Sequence, residues 1–117
     1  MLEREIEAVV CKYAKSKGFF VYKFSSPSHA GVPDRMFVAP HQRAFWIEFK
    51  RDGGKLTPLQ ERECDKLVDC GFEVYVVDSV EKGKSVIDEQ FRIAAMVCAA
   101  FLQFKAMRRN DDNESVH

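Results

Sequence analysis

Asp34, Glu48 and Lys50, two carboxylates and an ammonium group, are the residues of this chain whose types and spacing could do chemistry. Glu48 and Lys50 lie in the run Ala44 to Lys50, where Phe45, Trp46, Ile47 and Phe49 surround them. Such a run reads as a strand buried on at least one face, where an ionised side chain costs several kcal/mol unless it is paired or metal-bound. Residues two apart on a strand point the same way, so Glu48 and Lys50 share a face. If Arg35 to Ala39 pairs with Ala44 to Lys50 through a turn at Pro40-His41-Gln42-Arg43, antiparallel register sets Asp34 opposite the Glu48 to Lys50 end. Carboxylates about 5 Å apart repel by roughly 3 kcal/mol at an effective dielectric near 20. One lysine offsets part of that, and a divalent cation would resolve the rest.

The elements that must position these groups follow from pattern. Leu2 to Lys17 carries apolar residues at Leu2, Ile6, Val9, Val10, Tyr13 and Ala14, which is helical spacing, and Gly18 is a suitable stop. Phe19 to Phe24 has the aromatic and β-branched content of a strand, and the Ser, Pro and Gly of Ser25 to Val32 mark a loop. Thr57-Pro58 opens a second helix, with Thr57 as N-cap and proline at the first helical position. Leu59, Cys64, Leu67 and Val68 are its expected core side, and Cys70-Gly71 ends it. Phe72 to Val77 is nearly all apolar, as in a central strand covered on both faces. A helix links it to the Ala44 to Lys50 strand, so the two should run parallel through a right-handed crossover.

Ser85 to Arg108 reads as one long helix or two. Ile93 to Leu102 is apolar nearly all round, too short to span a bilayer, so it should be buried across the sheet or against a second subunit. Residues 110–117 read as a disordered tail.

Candidate phosphate contacts cluster near the acidic residues. Lys23 sits in an otherwise aromatic strand just before the loop. Ser25 and Ser26 supply hydroxyls within it, and Arg51, Lys55 and Arg62 flank the segment after Lys50. Each also has an ordinary reading, as turn chemistry or a solvated charge.

At 117 residues the chain is one domain with one modest core. Its 46% hydrophobic and 31% charged residues exclude global disorder. Lys plus Arg equals Asp plus Glu, so a nucleic-acid binder of this composition must segregate its charge. Cys11, Cys64, Cys70 and Cys98 lack zinc-site spacing and read as small core residues. The charged, amphipathic N-terminal segment is unlike a signal peptide, and reduced thiols fit a cytoplasmic protein, the host cytoplasm if phage-encoded.

Gly31-Val32-Pro33-Asp34, Glu48-Phe49-Lys50 and Gln60 in the following helix, with Gly53-Gly54-Lys55-Leu56-Thr57-Pro58-Leu59-Gln60 and Gly71 to Asp78, resemble the VRR-NUC branch of the PD-(D/E)xK nuclease superfamily from about Glu3 to Val80. The resemblance implies an α/β fold with a restriction-endonuclease-like core: helix, three-strand antiparallel meander, helix, parallel strand. Here that core would occupy residues 1–90, with an extra C-terminal helix at 91–109 serving packing or dimerisation. It implies a helix-one glutamate in the site, matched by Glu7 with Glu3 as the alternate. It also implies Mg²⁺ or Mn²⁺ held by Glu7, Asp34, Glu48 and the Phe49 carbonyl, Lys50 as the catalytic cation, and Gln60 positioning it.

The activity implied is hydrolysis of DNA phosphodiesters. Small relatives are often homodimers, and two sites at a fixed distance would suit branched DNA such as a Holliday junction. The competing readings are a non-catalytic DNA-binding module of the same fold, or a protein that pairs through its C-terminal helix.

Overall fold

The computed structural model describes residues 1–24, 30–41 and 43–115, with side chains as far as 112. The elements are α1 (Glu3–Ser16), β1 (Phe20–Lys23), β2 (Arg35–Val38), β3 (Phe45–Phe49), α2 (Pro58–Asp69), β4 (Glu73–Val77) and α3 (Val80–Ser115). The strands form one sheet in the order β1-β2-β3-β4, antiparallel from β1 to β3 and parallel between β3 and β4. This is the expected core order with a helix added at its C-terminal end.

β3 is the best-buried strand of the sheet, with every residue from Phe45 to Phe49 buried. Its odd-numbered side chains, Phe45, Ile47 and Phe49, join Ile6, Val10 and Ala14 of α1, Phe37 of β2, Val77 of β4 and Ile87 of α3 in a single core. By strand alternation its even-numbered residues, Trp46 and Glu48, face the opposite side, where α2 lies. The two faces are therefore unequally covered. α1 and α3 pack on one, whereas α2 leans mainly on β4 and leaves Phe20 and Tyr22 of β1, and Phe24 just after it, exposed on the other.

α2 starts as its sequence dictates. The Thr57 hydroxyl accepts from the Gln60 backbone N–H at 3.2 Å, and the Gln60 side-chain oxygen accepts from the Thr57 N–H at 2.9 Å. This reciprocal cap satisfies two backbone donors that a helix start otherwise leaves open. Before β2, the Asp34 carbonyl accepts from the Phe24 N–H at 2.7 Å and so closes the base of the loop between β1 and β2. Gly31, at φ +89°, packs against the first turn of α2, where a Cβ would come within 3.0 Å of the Leu59 carbonyl. Only glycine combines that backbone conformation with that approach.

Several expectations are corrected. The Phe72 to Val77 segment forms β4, but as an edge strand: α2 and α3 give its faces partial cover, and its outer edge pairs with no described strand. An apolar run reports burial of faces and says nothing about edges. In α2, Leu59 and Val68 are exposed, while Cys64 and Glu63 are buried, because a short helix resting on an edge strand buries only a narrow stripe. Cys11 and Cys64 are core residues, whereas Cys70 is exposed at the end of α2 and Cys98 is half-buried on α3.

α3 is a single helix that continues to Ser115, through the described part of the expected tail. No glycine or proline follows Gly83 to stop it. Nor is its apolar second half covered: beyond Ala94, Met96, Val97, Phe101, Leu102, Phe104 and Met107 are all exposed. Of the two expected coverings, burial across the sheet is not found beyond Ala94.

α1 and α3 meet at Gly83, where a Cβ would lie 2.3 Å from a methyl of the fully buried Val10. Alanine gains about 1 kcal/mol in helix propensity, but overpacking a stiff β-branched neighbour costs about 1–3 kcal/mol. Gly83→Ala should therefore destabilise the fold by about 1 kcal/mol in urea denaturation. A gain in stability would show that the two helices can separate without cost.

Candidate active site

The pairing of Arg35 with Ile47, carried one residue further, sets Asp34 directly across from Glu48. The Lys50 ammonium lies 3.9 Å from Glu48 Oε1 on the same face. Gln60 joins the two: its Oε1 accepts from Lys50 Nζ at 2.7 Å and its Nε2 donates to Glu48 Oε1 at 3.1 Å. The Gln60 amide oxygen therefore serves both the helix cap and the lysine, so the start of α2 and the charged pair on β3 are fixed by one side chain.

Glu48 is 7% exposed. Burial pushes its carboxyl up to about 7 despite the nearby Lys50, and the negative charges of Asp34, Glu3 and Glu7 push the same way. Three further carboxylates thus lie within electrostatic reach of Glu48. The thiol of Cys64, beneath them on α2, is also raised, first by burial and then by the charge of Glu48.

An open cleft of about 600 Å³ lies at this end of β3, lined by Glu3, Arg4, Glu7, Lys50, Arg51 and Lys55 among others. Its four cations outnumber its two acids, so a chain of zero net charge presents a basic rim where an anion would approach. Of the expected contacts, Arg51 and Lys55 line this cleft. Lys23 is exposed on β1 opposite Arg35, and neither it nor Arg62 is part of the lining. Ser25 and Ser26 lie outside the described residues. The Phe49 side chain is buried in the core, which leaves only its backbone to serve the site. Glu3 and Glu7 both reach the cleft, but Glu7 is half-buried and accepts a hydrogen bond from Arg35 Nε in an ion pair.

Sequence reasoning missed Arg4 and Arg35. Arg35 carried a signal, being a second charge beside Asp34 at the head of an otherwise apolar strand. Arg4 had only its place one helical turn before Glu7.

The donor chemistry suits a hard divalent cation, since the clustered groups are carboxylates, one of them buried and repelled by the others. Among the described residues, however, no three acidic, histidine or cysteine side chains converge closely enough to hold an ion as they stand. Glu7 is turned to Arg35 and Glu48 to Gln60.

A sheet with this order, and with facing acids beside a lysine at the head of a basic cleft, defines a nuclease-like α/β domain. The sequence profile of the VRR-NUC domain matches residues 2–81, and the chain belongs to that family. It is 39% identical over 77 residues to "Putative nuclease p44" of Acyrthosiphon pisum secondary endosymbiont phage 1, a match covering 66% of this chain and 83% of that protein. A solved structure described as "VRR_NUC domain" superposes with a TM-score of 0.68 at 25% identity, over 74% of this chain and 94% of the other. A second, "VRR_NUC domain protein", shares the fold with a TM-score of 0.65 at 24% identity, over 75% and 86% of the two chains.

The state of Glu48 makes folding pH-dependent. In the unfolded chain its carboxyl releases its proton near pH 4.5, in the fold near pH 7. Between these values the folded form binds more protons, so this contribution to stability falls as pH rises and levels off above about 7. The loss is on the order of 3 kcal/mol, from 1.36 kcal/mol per pKa unit. Glu48→Gln keeps the acceptor but cannot ionise, so in EDTA its stability relative to wild type should grow by that amount from pH 4.5 to 8. Denaturation curves that run parallel across the range would show that the carboxyl is not burdened.

Proposed function

We propose that this protein is a divalent-metal-dependent deoxyribonuclease that hydrolyses phosphodiester bonds, acting by preference on branched DNA such as a four-way junction. The observation that carries the reading is the buried Glu48 held by Gln60 beside Lys50 and opposite Asp34, at a basic cleft in a VRR-NUC domain.

Asp34, Glu48 and Glu7 would hold Mg²⁺ or Mn²⁺ through carboxylate oxygens, with the Phe49 carbonyl as a further ligand. Such an ion, when bound, makes water more acidic and stabilises charge on a phosphoryl oxygen. Lys50 presents its remaining ammonium protons to the cleft and stabilises the charge that develops on the phosphate. Gln60 acts through Lys50, holding the ammonium at a fixed angle. Arg4, Arg51 and Lys55 bind the backbone phosphates on either side of the reacting one, which positions DNA without reading its sequence. A phage relative and a DNA substrate support a cytoplasmic site of action. No helix among the described residues is long and apolar enough to cross a membrane.

The purified protein should nick supercoiled plasmid with Mn²⁺ and lose that activity in EDTA. Asp34→Ala, Glu48→Ala and Lys50→Ala should each lower the rate by about 100-fold or more, the scale of losing one group that acts on the transition state. A four-way junction should be cut faster than linear duplex. Nicking that persists in Glu48→Ala would reject the assignment, and DNA binding without cleavage would favour a non-catalytic module.

The second half of α3 supports a homodimer. Ile93, Val97, Ala100, Phe104 and Met107 recur at alternating steps of four and three residues, the spacing of a helix-pairing seam. Val97, Phe104 and Met107 of this seam are exposed within one chain. A second copy is the occupant this reading assigns. Light scattering should give a dimer for wild type and a monomer for Phe104→Glu, with the fold retained; equal masses would remove α3 as the interface.

A further inference from the structure

Glu7 stands at the cleft wall and would be a ligand of the ion, yet its Oε1 is taken by Arg35 Nε. The pair is no surface decoration, because the Arg35 and Glu7 side chains are only 24% and 18% exposed. Arg35 directly follows Asp34 and is the position where β2 pairs with Ile47, the neighbour of Glu48. The guanidinium lies on the α1 side of the sheet, within electrostatic reach of Glu7 and Asp34, two of the acids that would hold a cation, and it pairs with Glu7.

We propose that Arg35 is a positioning residue that acts as the resident counter-ion of Glu7 and is displaced when a divalent cation binds. This rests on the metal-dependent reading above and deepens it. Its physical basis is competition. Glu7, in the same cleft as Glu3 and within electrostatic reach of Glu48, gains from a positive partner, and the Arg35 guanidinium on β2 supplies one. With an ion present, the same carboxylate oxygen cannot serve both cations fully, and two positive charges at one carboxylate repel. Arg35 therefore stabilises the empty site and weakens metal binding, so that the acids are drawn together only when a cation outcompetes it.

The test is titration calorimetry of EDTA-stripped protein with Mn²⁺, alongside melting curves in EDTA and in saturating Mn²⁺, for wild type, Arg35→Gln, Arg35→Lys and Glu7→Gln. Arg35→Gln should bind Mn²⁺ roughly tenfold tighter, the scale of one partly buried ion pair. It should also melt lower in EDTA, so that the gap between its two melting temperatures widens. Arg35→Lys should fall between it and wild type, and serves alone if Arg35→Gln does not fold. Glu7→Gln should bind more weakly than wild type.

An unchanged affinity with equal loss of melting temperature in both conditions would reduce Arg35 to a strap between α1 and β2 and overturn the proposal. In that case Mn²⁺ binding that depends on Glu48 would leave the nuclease reading intact. Failure of wild type to bind Mn²⁺ at all would overturn both.

Discussion

An ionisable carboxyl in the best-buried strand of the sheet is the constraint on which the rest of the molecule depends. Glu48 is flanked in sequence by Ile47 and Phe49, whose side chains fill the core on the opposite face. The residue cannot move toward water without moving β3, and β3 cannot move without opening the core. Its charge must be answered where it stands. Lys50 comes from the same strand, two residues on, and Gln60 comes from the first turn of α2. The Thr57-Gln60 cap that starts α2 therefore has a second consequence, because the side-chain oxygen that closes it also holds Lys50. A change at Gln60 would loosen a helix end and a candidate catalytic cation together.

This coupling explains why much of the site was legible in sequence. Two-residue spacing on a strand and antiparallel register through a short turn are local rules, and together they brought Asp34, Glu48 and Lys50 to one place; the Thr-Pro start set Gln60 in the first turn of α2, and the family resemblance assigned it to the site. The resemblance to a known family added Glu7, which no local rule singles out from Glu3. What stayed hidden depends on contacts between distant elements. The Arg35–Glu7 pair links residues in β2 and α1, and neither segment's pattern implies the other's partner. The edge position of β4 is hidden for a similar reason: its apolar run is equally consistent with a neighbour on both sides. Leu59 illustrates a subtler case: helical spacing puts it on the core side, yet it lies close to Gly31 in the first turn of α2 and stays exposed.

α3 shows where composition misleads about burial. A helix apolar all round reads as interior, yet only its first half packs, through Ile87, Gln90 and Ala94. The rest projects, with His41 of the β2–β3 turn touching Phe101 on the way. Its effect on shape is measurable: the radius of gyration is 18.0 Å, against about 13 Å for a compact chain of this length. Thirty-six helical residues reach about 54 Å, close to the longest dimension of the molecule, 63 Å. Of the two coverings that the apolar run allowed, the sheet and a second subunit, the first does not extend beyond Ala94 within this chain.

The unequal dressing of the sheet completes the physical logic. One face is sealed by α1 and α3, and this rigid side fixes the register of β2 against β3. On the other face α2 covers little beyond β4, and it leaves Asp34 exposed while its Gln60 lies against the buried Glu48. A substrate as large as DNA needs an open approach, since its backbone cannot enter a closed pocket. Electrostatic leverage needs the reverse, because charges fully in water are screened to small effect. Glu48 and Lys50 divide these demands at the end of a buried strand: Glu48 stays buried beside the low-dielectric core, while Lys50, joined to it through Gln60, lines the basic cleft. The buried strand thus makes the charges strong and the cleft at its end makes Lys50 reachable, and neither alone would give a site able to act on a polyanion.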